Sequence, residues 1–262
     1  MFEKPLSIDG RLVGTGQPCF VIAEAGVNHN GSLDMAFELI DTAAAAGADA
    51  VKFQTFSTEL LVGRNVPKAD YQKANTSEES QYEMLRKLEL DRAAHERLIA
   101  RCREKRITFL STPFEEESAR LLNELDVPAF KIPSGEVTNL PFLECVARFG
   151  KPMIVSTGMC RLGEVEDAVR AIAATGNDSY ALLHCVSSYP ADPATANLRA
   201  MQTLAHAFCV PVGFSDHTEG LEVPGAAVAM GASIIEKHFT LDRSLPGPDH
   251  LASLEPEQLH EL

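Results

Sequence analysis

A (β/α)8 barrel forming one domain over residues 1–262 is the α/β fold that the sequence predicts, and three observations predict it. Eight short apolar runs, rich in Val, Ile, Leu, Phe and Ala, each precede a segment of helical character. Polar residues gather at the carboxyl end of every run, the end that forms the active face of such barrels. The length of 262 residues matches the roughly 250 of a single barrel.

Taken in order, a polar lead gives way to a first buried strand at residues 19–25, interrupted by Glu24. A carboxylate inside an apolar strand needs a partner or a task. The turn GVNHNGS follows, and Ser32 or Asp34 caps a helix that runs to Ala46 and closes at Gly47. Residues 50–56 form the second strand, with Lys52 and Gln54 at alternate positions and so on one face. The polar stretch 64–80 is too long for an ordinary barrel connection; it reads either as a lid over the mouth or as a solvated excursion. Helical character resumes at Tyr82, and Asp91 caps a helix to Lys105.

The third strand spans 107–114, with Ser111 and Thr112 near its end, and the helix 115–125 follows. Strand 129–133 holds Lys131 among apolar neighbours and runs into Ser134, Gly135 and Glu136. A helix at 139–149, a strand at 153–157 containing Ser156, and a helix at 163–174 come next. The sixth strand, 180–186, ends at Ser187 and Tyr189, and a helix at 197–208 leads to the final crossover.

That crossover joins a strand ending in GFSDHT to one ending in EKHFT through a helix at 222–231. Parallel neighbours lie about 4.8 Å apart, so His217 and His238 could present their imidazoles to one cation. Alternation sets Ser215 with His217, and Glu236 with His238, on a common face. Taken singly, a histidine there better suits a strand-end hydrogen bond; two at matching places on consecutive strands, both amid polar groups, suit a shared cation equally well.

The excess of 37 acidic over 23 basic side chains, a net charge of -14, argues against nucleic acid or an anionic membrane as a partner. A small anionic substrate remains compatible, because a few lysines can make a locally positive pocket. Six cysteines without a CxxC pair suit reduced thiols, and the amino terminus lacks the apolar core of a signal peptide. These features place the protein in the cytoplasm.

Lys52 and Lys131, with Ser134, Ser156 and Ser215, suit phosphate or carboxylate oxygens. A metal on His217 and His238 could polarise a carbonyl, leaving Glu24 and Glu136 for proton transfer. Two histidines are one ligand short of most catalytic zinc sites, so water or substrate oxygen would complete the shell, which favours Mn²⁺ or Mg²⁺. A metal-free Schiff base aldolase using Lys52, Lys131 or Lys237 is the competing chemistry, and a non-catalytic sugar-binding barrel is a third reading.

The segments IAEAGVNHNGS, GADAVKFQTF, STPF, FKIPSGE, STGM, LLHCVSSYP, GFSDHT, EKHFT and GPDHLASLEP resemble the N-acetylneuraminate (sialic acid) synthase family across nearly the whole chain. The resemblance implies condensation of phosphoenolpyruvate with an N-acetylated sugar aldehyde, typically N-acetylmannosamine, to a nine-carbon 2-keto acid and phosphate. Legionaminic and pseudaminic acid synthesis are the variants of that reaction. By the same resemblance, His217 and His238 are the metal ligands, and Lys52, Lys131, Ser134, Ser156 and Ser215 contact phosphoenolpyruvate. Gln54, Glu136, Tyr189 and Asp249 then hold the sugar, and Glu24 moves a proton or activates water.

Ser187 stands where some members have an Asn that touches phosphate. Family members usually continue into a small antifreeze-like domain that reaches across a homodimer, whereas this chain stops at Leu262, a few residues into the expected eighth helix. The expectation is a fragment or a barrel with a short last helix. A cut helix leaves apolar surface in water, at about 25 cal/mol per Å², which predicts marginal stability.

Overall fold

A computed structural model describes residues 4–69, 72, 76 and 80–262. Among these residues, eight parallel strands alternate with helices: β3 (Phe20–Gly26), β4 (Ala50–Thr55), β5 (Thr108–Pro113), β6 (Phe130–Ile132), β7 (Met153–Ser156), β8 (Tyr180–Cys185), β9 (Val212–Asp216) and β10 (Ile234–His238). Hydrogen bonding gives the order β5-β4-β3-β10-β9-β8-β7-β6, and the two end strands lie against each other, so the sheet nearly closes. This is the predicted barrel.

Period-two alternation sorts the strand residues into two layers. Val51, Phe53, Phe109, Val155 and Phe214 point outward and join the helices in the larger core. Phe20, Ile22, Ala50, Leu110, Ile154, Leu183 and Ile234 point inward and fill the lower lumen. In register, Ile22 pairs with Glu236 and Glu24 with both His238 and Lys52. The inward face therefore passes from apolar to charged on going toward the carboxyl ends of the strands.

The amino-terminal segment, read from sequence as a polar lead, is instead an antiparallel hairpin of β1 (Leu6–Ile8) and β2 (Arg11–Val13). Leu6, Ile8 and Val13 are buried with the lower lumenal residues, so the hairpin closes the far end of the barrel. Its turn is Asp9-Gly10, with φ of 50° and 79°, the left-handed pair that a two-residue hairpin of this hand requires.

Helices form where the sequence supplies caps. Ser32 accepts from Met35 N to open helix Leu33–Ala46, and Gly47 at φ 87° ends it. Asp91 likewise caps Arg92–Lys105. Helix Pro256–Glu261 packs on Leu33–Ala46 and buries Leu259. No helix among the described residues is long and apolar enough to cross a membrane.

Candidate active site

The upper lumen opens into a cavity of about 730 Å³ whose lining includes Glu24, Lys52, Gln54, Lys131, Ser134, Glu136, Ser156, Ser187, Tyr189, Ser215, His217, His238 and Asp249. Every site residue expected from the sequence thus reaches one space. The stretch 64–80 also contributes, through Ala69 and Gln72, although residues 70, 71, 73–75 and 77–79 of that candidate lid lie outside the described residues.

At the floor, two lysines and two glutamates form a buried cluster. Lys52 Nζ lies 2.6 Å from Glu24 Oε2 and 3.5 Å from Glu236 Oε2, and Lys131 Nζ lies 3.1 Å from Glu236 Oε1. Lys52 also donates to Thr112 Oγ1 at 2.8 Å, and Ser215 Oγ donates to Glu236 Oε1 at 2.8 Å. The environments drive the two acids apart. Burial raises the Glu24 carboxyl well above the ordinary carboxylate range, with Lys52 opposing only part of the effect. Burial acts on Glu236 too, but Lys131 and Lys52 outweigh it and hold that carboxyl well below the usual range. A low-proton-affinity anion beside a proton-holding acid is the pattern of an acid–base site.

The histidines sit at the ends of adjacent strands, His217 just past β9 and His238 closing β10, with ring centroids 5.7 Å apart, and the Tyr189 ring lies 4.2 Å from that of His217. His217 Nδ1 donates to Val186 O at 2.7 Å, which fixes the tautomer and leaves Nε2 with a lone pair. His238 Nδ1 is buried without a protein partner. Burial lowers the proton affinity of both rings, and for His238 the neighbouring His217 adds to it. Two neutral imidazoles with unspent nitrogen suit a divalent cation. No set of three or more His, Cys, Asp or Glu suited to a metal occurs among the described residues, so a cation there would need oxygen from water or substrate.

Around this centre, Gly26 (φ 52°) is a point of close approach: a Cβ there would lie 3.3 Å from Glu24 Oε1, 3.4 Å from Gln54 Nε2 and 3.5 Å from Asp249 Oδ2. Desolvation raises the Asp249 carboxyl to about 6. Ser156 Oγ is buried without a partner, Ser134 Oγ and Ser187 Oγ lie 3.3 Å apart, and Asn139 Nδ2 donates to Glu136 Oε2 at 2.8 Å. Lys237 faces the other way. Its Nζ is 2.5 Å from Asp216 Oδ2 and 2.7 Å from Thr218 O, behind the histidine strands and away from the cavity.

Glu236 is the central group that sequence reasoning left without a role. The alternation that placed it beside His238 was the available signal, and the convergence of two lysines from β4 and β6 on one carboxylate was not visible along the chain.

The fold and site together define a (β/α)8 barrel with a buried lysine–glutamate cluster beside paired histidines at its mouth. The chain belongs to the NeuB family, whose profile matches residues 39–262. It is 54% identical over 254 residues to the N,N'-diacetyllegionaminic acid synthase of Legionella pneumophila, covering 95% of this chain and 71% of that protein. The Campylobacter jejuni protein of the same name is 52% identical over 245 residues, covering 92% and 73%. A crystal structure of N-acetylneuraminic acid (sialic acid) synthetase from Leptospira borgpetersenii superposes with a TM-score of 0.90 at 38% identity, covering 99% of this chain and 86% of the other. The protein is an enzyme of the sialic-acid-type synthase family.

Proposed function

We propose that the mouth joins phosphoenolpyruvate to the open-chain aldehyde of an N-acylated amino sugar, releasing phosphate and a nine-carbon 2-keto acid. The observation that carries this reading is the pair of buried lysines from β4 and β6 meeting on Glu236 beside the two histidines. With Glu24 holding its proton, the two lysines exceed the carboxylates by a single charge, so a multiply charged anion enters comfortably only with added positive charge. Mn²⁺ or Mg²⁺ held by His217 and His238 would supply that charge and Lewis acidity toward the aldehyde oxygen.

The chain's own groups account for the rest. Lys52 and Lys131 hold the carboxylate and phosphate oxygens, and Ser134, Ser156, Ser187 and Ser215 offer hydroxyls to the same anion. Gln54, Glu136, Tyr189 and Asp249 orient the sugar. Carbon 3 of the enol forms a bond to the aldehyde carbon, whose oxygen takes up a proton. Water adds at carbon 2 and loses a proton, and phosphate departs with the bridging oxygen as the ketone forms. Glu24, with its raised carboxyl beside Lys52, is the group placed to hold and pass that proton.

Schiff base chemistry fits less well. The two glutamates outweigh burial and keep Lys52 protonated, Lys131 is tied to Glu236, and Lys237 lies outside the cavity. The relatives from Legionella and Campylobacter favour the legionaminic variant over N-acetylmannosamine as the natural acceptor. We place the enzyme in the cytoplasm as a homodimer acting on these two small molecules. Mass spectrometry of a reaction with phosphoenolpyruvate and acceptor tests the reading: a product heavier than the sugar by one pyruvate is expected, and pyruvate released without the sugar contradicts it.

A further inference from the structure

The cavity has two unlike halves. Around the carboxyl ends of β6, β7 and β8 its lining includes Ser134, Ser156 and Ser187. Beyond β3, β4 and β5 its wall is apolar: Val27, Phe56 and Phe114 follow those strands, and Leu61, Met84 and Leu85 come from the excursion after β4. Together with Leu88 these six side chains form a cluster separate from both barrel cores, with the Phe56 and Phe114 rings meeting edge to face at 6.1 Å. Leu61, Leu85 and Phe114 are only partly buried, so they remain available to a ligand in the cavity. Gln54, on β4, and Gln81, from the excursion after it, are also among the lining residues.

A bare chain of hydroxyls would surrender hydrogen bonds to water against such a wall. An acylamino group suits it, because its methyl meets the apolar surface and its amide pairs with a glutamine. The products named for the Legionella and Campylobacter relatives carry two N-acetyl groups. We infer that the wall formed by Phe56, Leu61, Met84, Leu85 and Phe114 is the subsite for a second acylamino group on the acceptor sugar, and that it selects a diacylamino hexose over a monoacylamino one. This rests on the synthase reading above.

Protein supplied with Mn²⁺ and phosphoenolpyruvate is given either N-acetylmannosamine or a mannose-configured 2,4-diacetamido hexose, and phosphate release is followed. The diacetamido sugar is expected to have the higher kcat/KM by about tenfold or more. Leu61→Gln and Leu85→Gln should each shrink that preference by about tenfold through KM for the diacetamido sugar, at an unchanged melting temperature. A preference for N-acetylmannosamine, or variants that slow both sugars alike, overturns the subsite while leaving the synthase reading in place. Phosphate release with neither sugar contradicts the synthase reading itself. Calorimetric titration of the two sugars then decides the subsite: tighter binding of the diacetamido sugar supports it, and equal or weaker binding overturns it.

Discussion

Glu236 is the residue on which the site depends. It gathers Lys52, Lys131 and Ser215 from three other strands, so its removal leaves two buried ammonium groups short of a counter-ion. Glu236→Ala is expected to cost about 3–5 kcal/mol in urea unfolding, in the range seen when one partner of a buried pair is lost. A loss below about 1 kcal/mol would show that water compensates the lysines. His217→Ala and His238→Ala behave differently, because both rings lie on the mouth and the protein contact at stake is the single bond from His217 Nδ1 to Val186 O. Each should weaken Mn²⁺ binding in equilibrium dialysis by about 100-fold or more with little change in melting temperature. Unfolding of either variant at room temperature would make the histidines structural. The polar strand ends were legible because alternation alone puts Glu24, Lys52, Gln54, Ser215, His217 and His238 on the inward face. The apolar wall was not, since Val27, Phe56, Leu61, Met84, Leu85 and Phe114 are scattered through loops with no period to mark them.

Among the elements, the hairpin β1–β2 was missed although its signal is short and strong. Asp9-Gly10 stands between apolar positions at Leu6, Ile8 and Val13, and only the brevity of the two strands hid it. Ile8 is fully buried in the lower lumen, so Ile8→Ala should cost about 2–5 kcal/mol while leaving KM for phosphoenolpyruvate unchanged, as the hairpin sits at the end opposite the mouth. A changed KM with unchanged stability would contradict that placement. Gly213 on β9 shows how tightly the histidine strands pack: a Cβ there would come within 2.4 Å of Ile234 O and 2.7 Å of the Leu183 side chain. Gly213→Ala should therefore force β9 and β10 apart and lower the melting temperature. The long connection after β4 was recognised as unusual from its length, but its contribution of Leu61, Met84 and Leu85 to the cavity needed the folded chain.

For the molecule as a whole, the eightfold alternation was enough to read the barrel, because each strand must be apolar outward and each helix must cover it. Buried histidines outside the site give the fold a pH dependence. Burial lowers both His29 and His250 from 6.5 to about 4, and it lowers His95 as well. These groups are neutral in the folded chain and take up protons more readily when unfolded, so their contribution is complete above pH 6.5 and is lost as pH falls through about 4. Denaturant midpoints should hold steady above pH 6.5 and drop across that window; a flat profile would show that the rings gain partners when protonated.

The central claim is that one barrel mouth, with lysines for the anion and histidines for a cation, couples phosphoenolpyruvate to an amino sugar. Phosphate release from phosphoenolpyruvate, measured with and without a 2,4-diacetamido hexose and with and without Mn²⁺, tests it most directly. Release that requires both the sugar and the metal, and that disappears in His238→Ala, is the predicted result. Release that proceeds without the sugar, or that survives chelation and the loss of His238, would contradict the account.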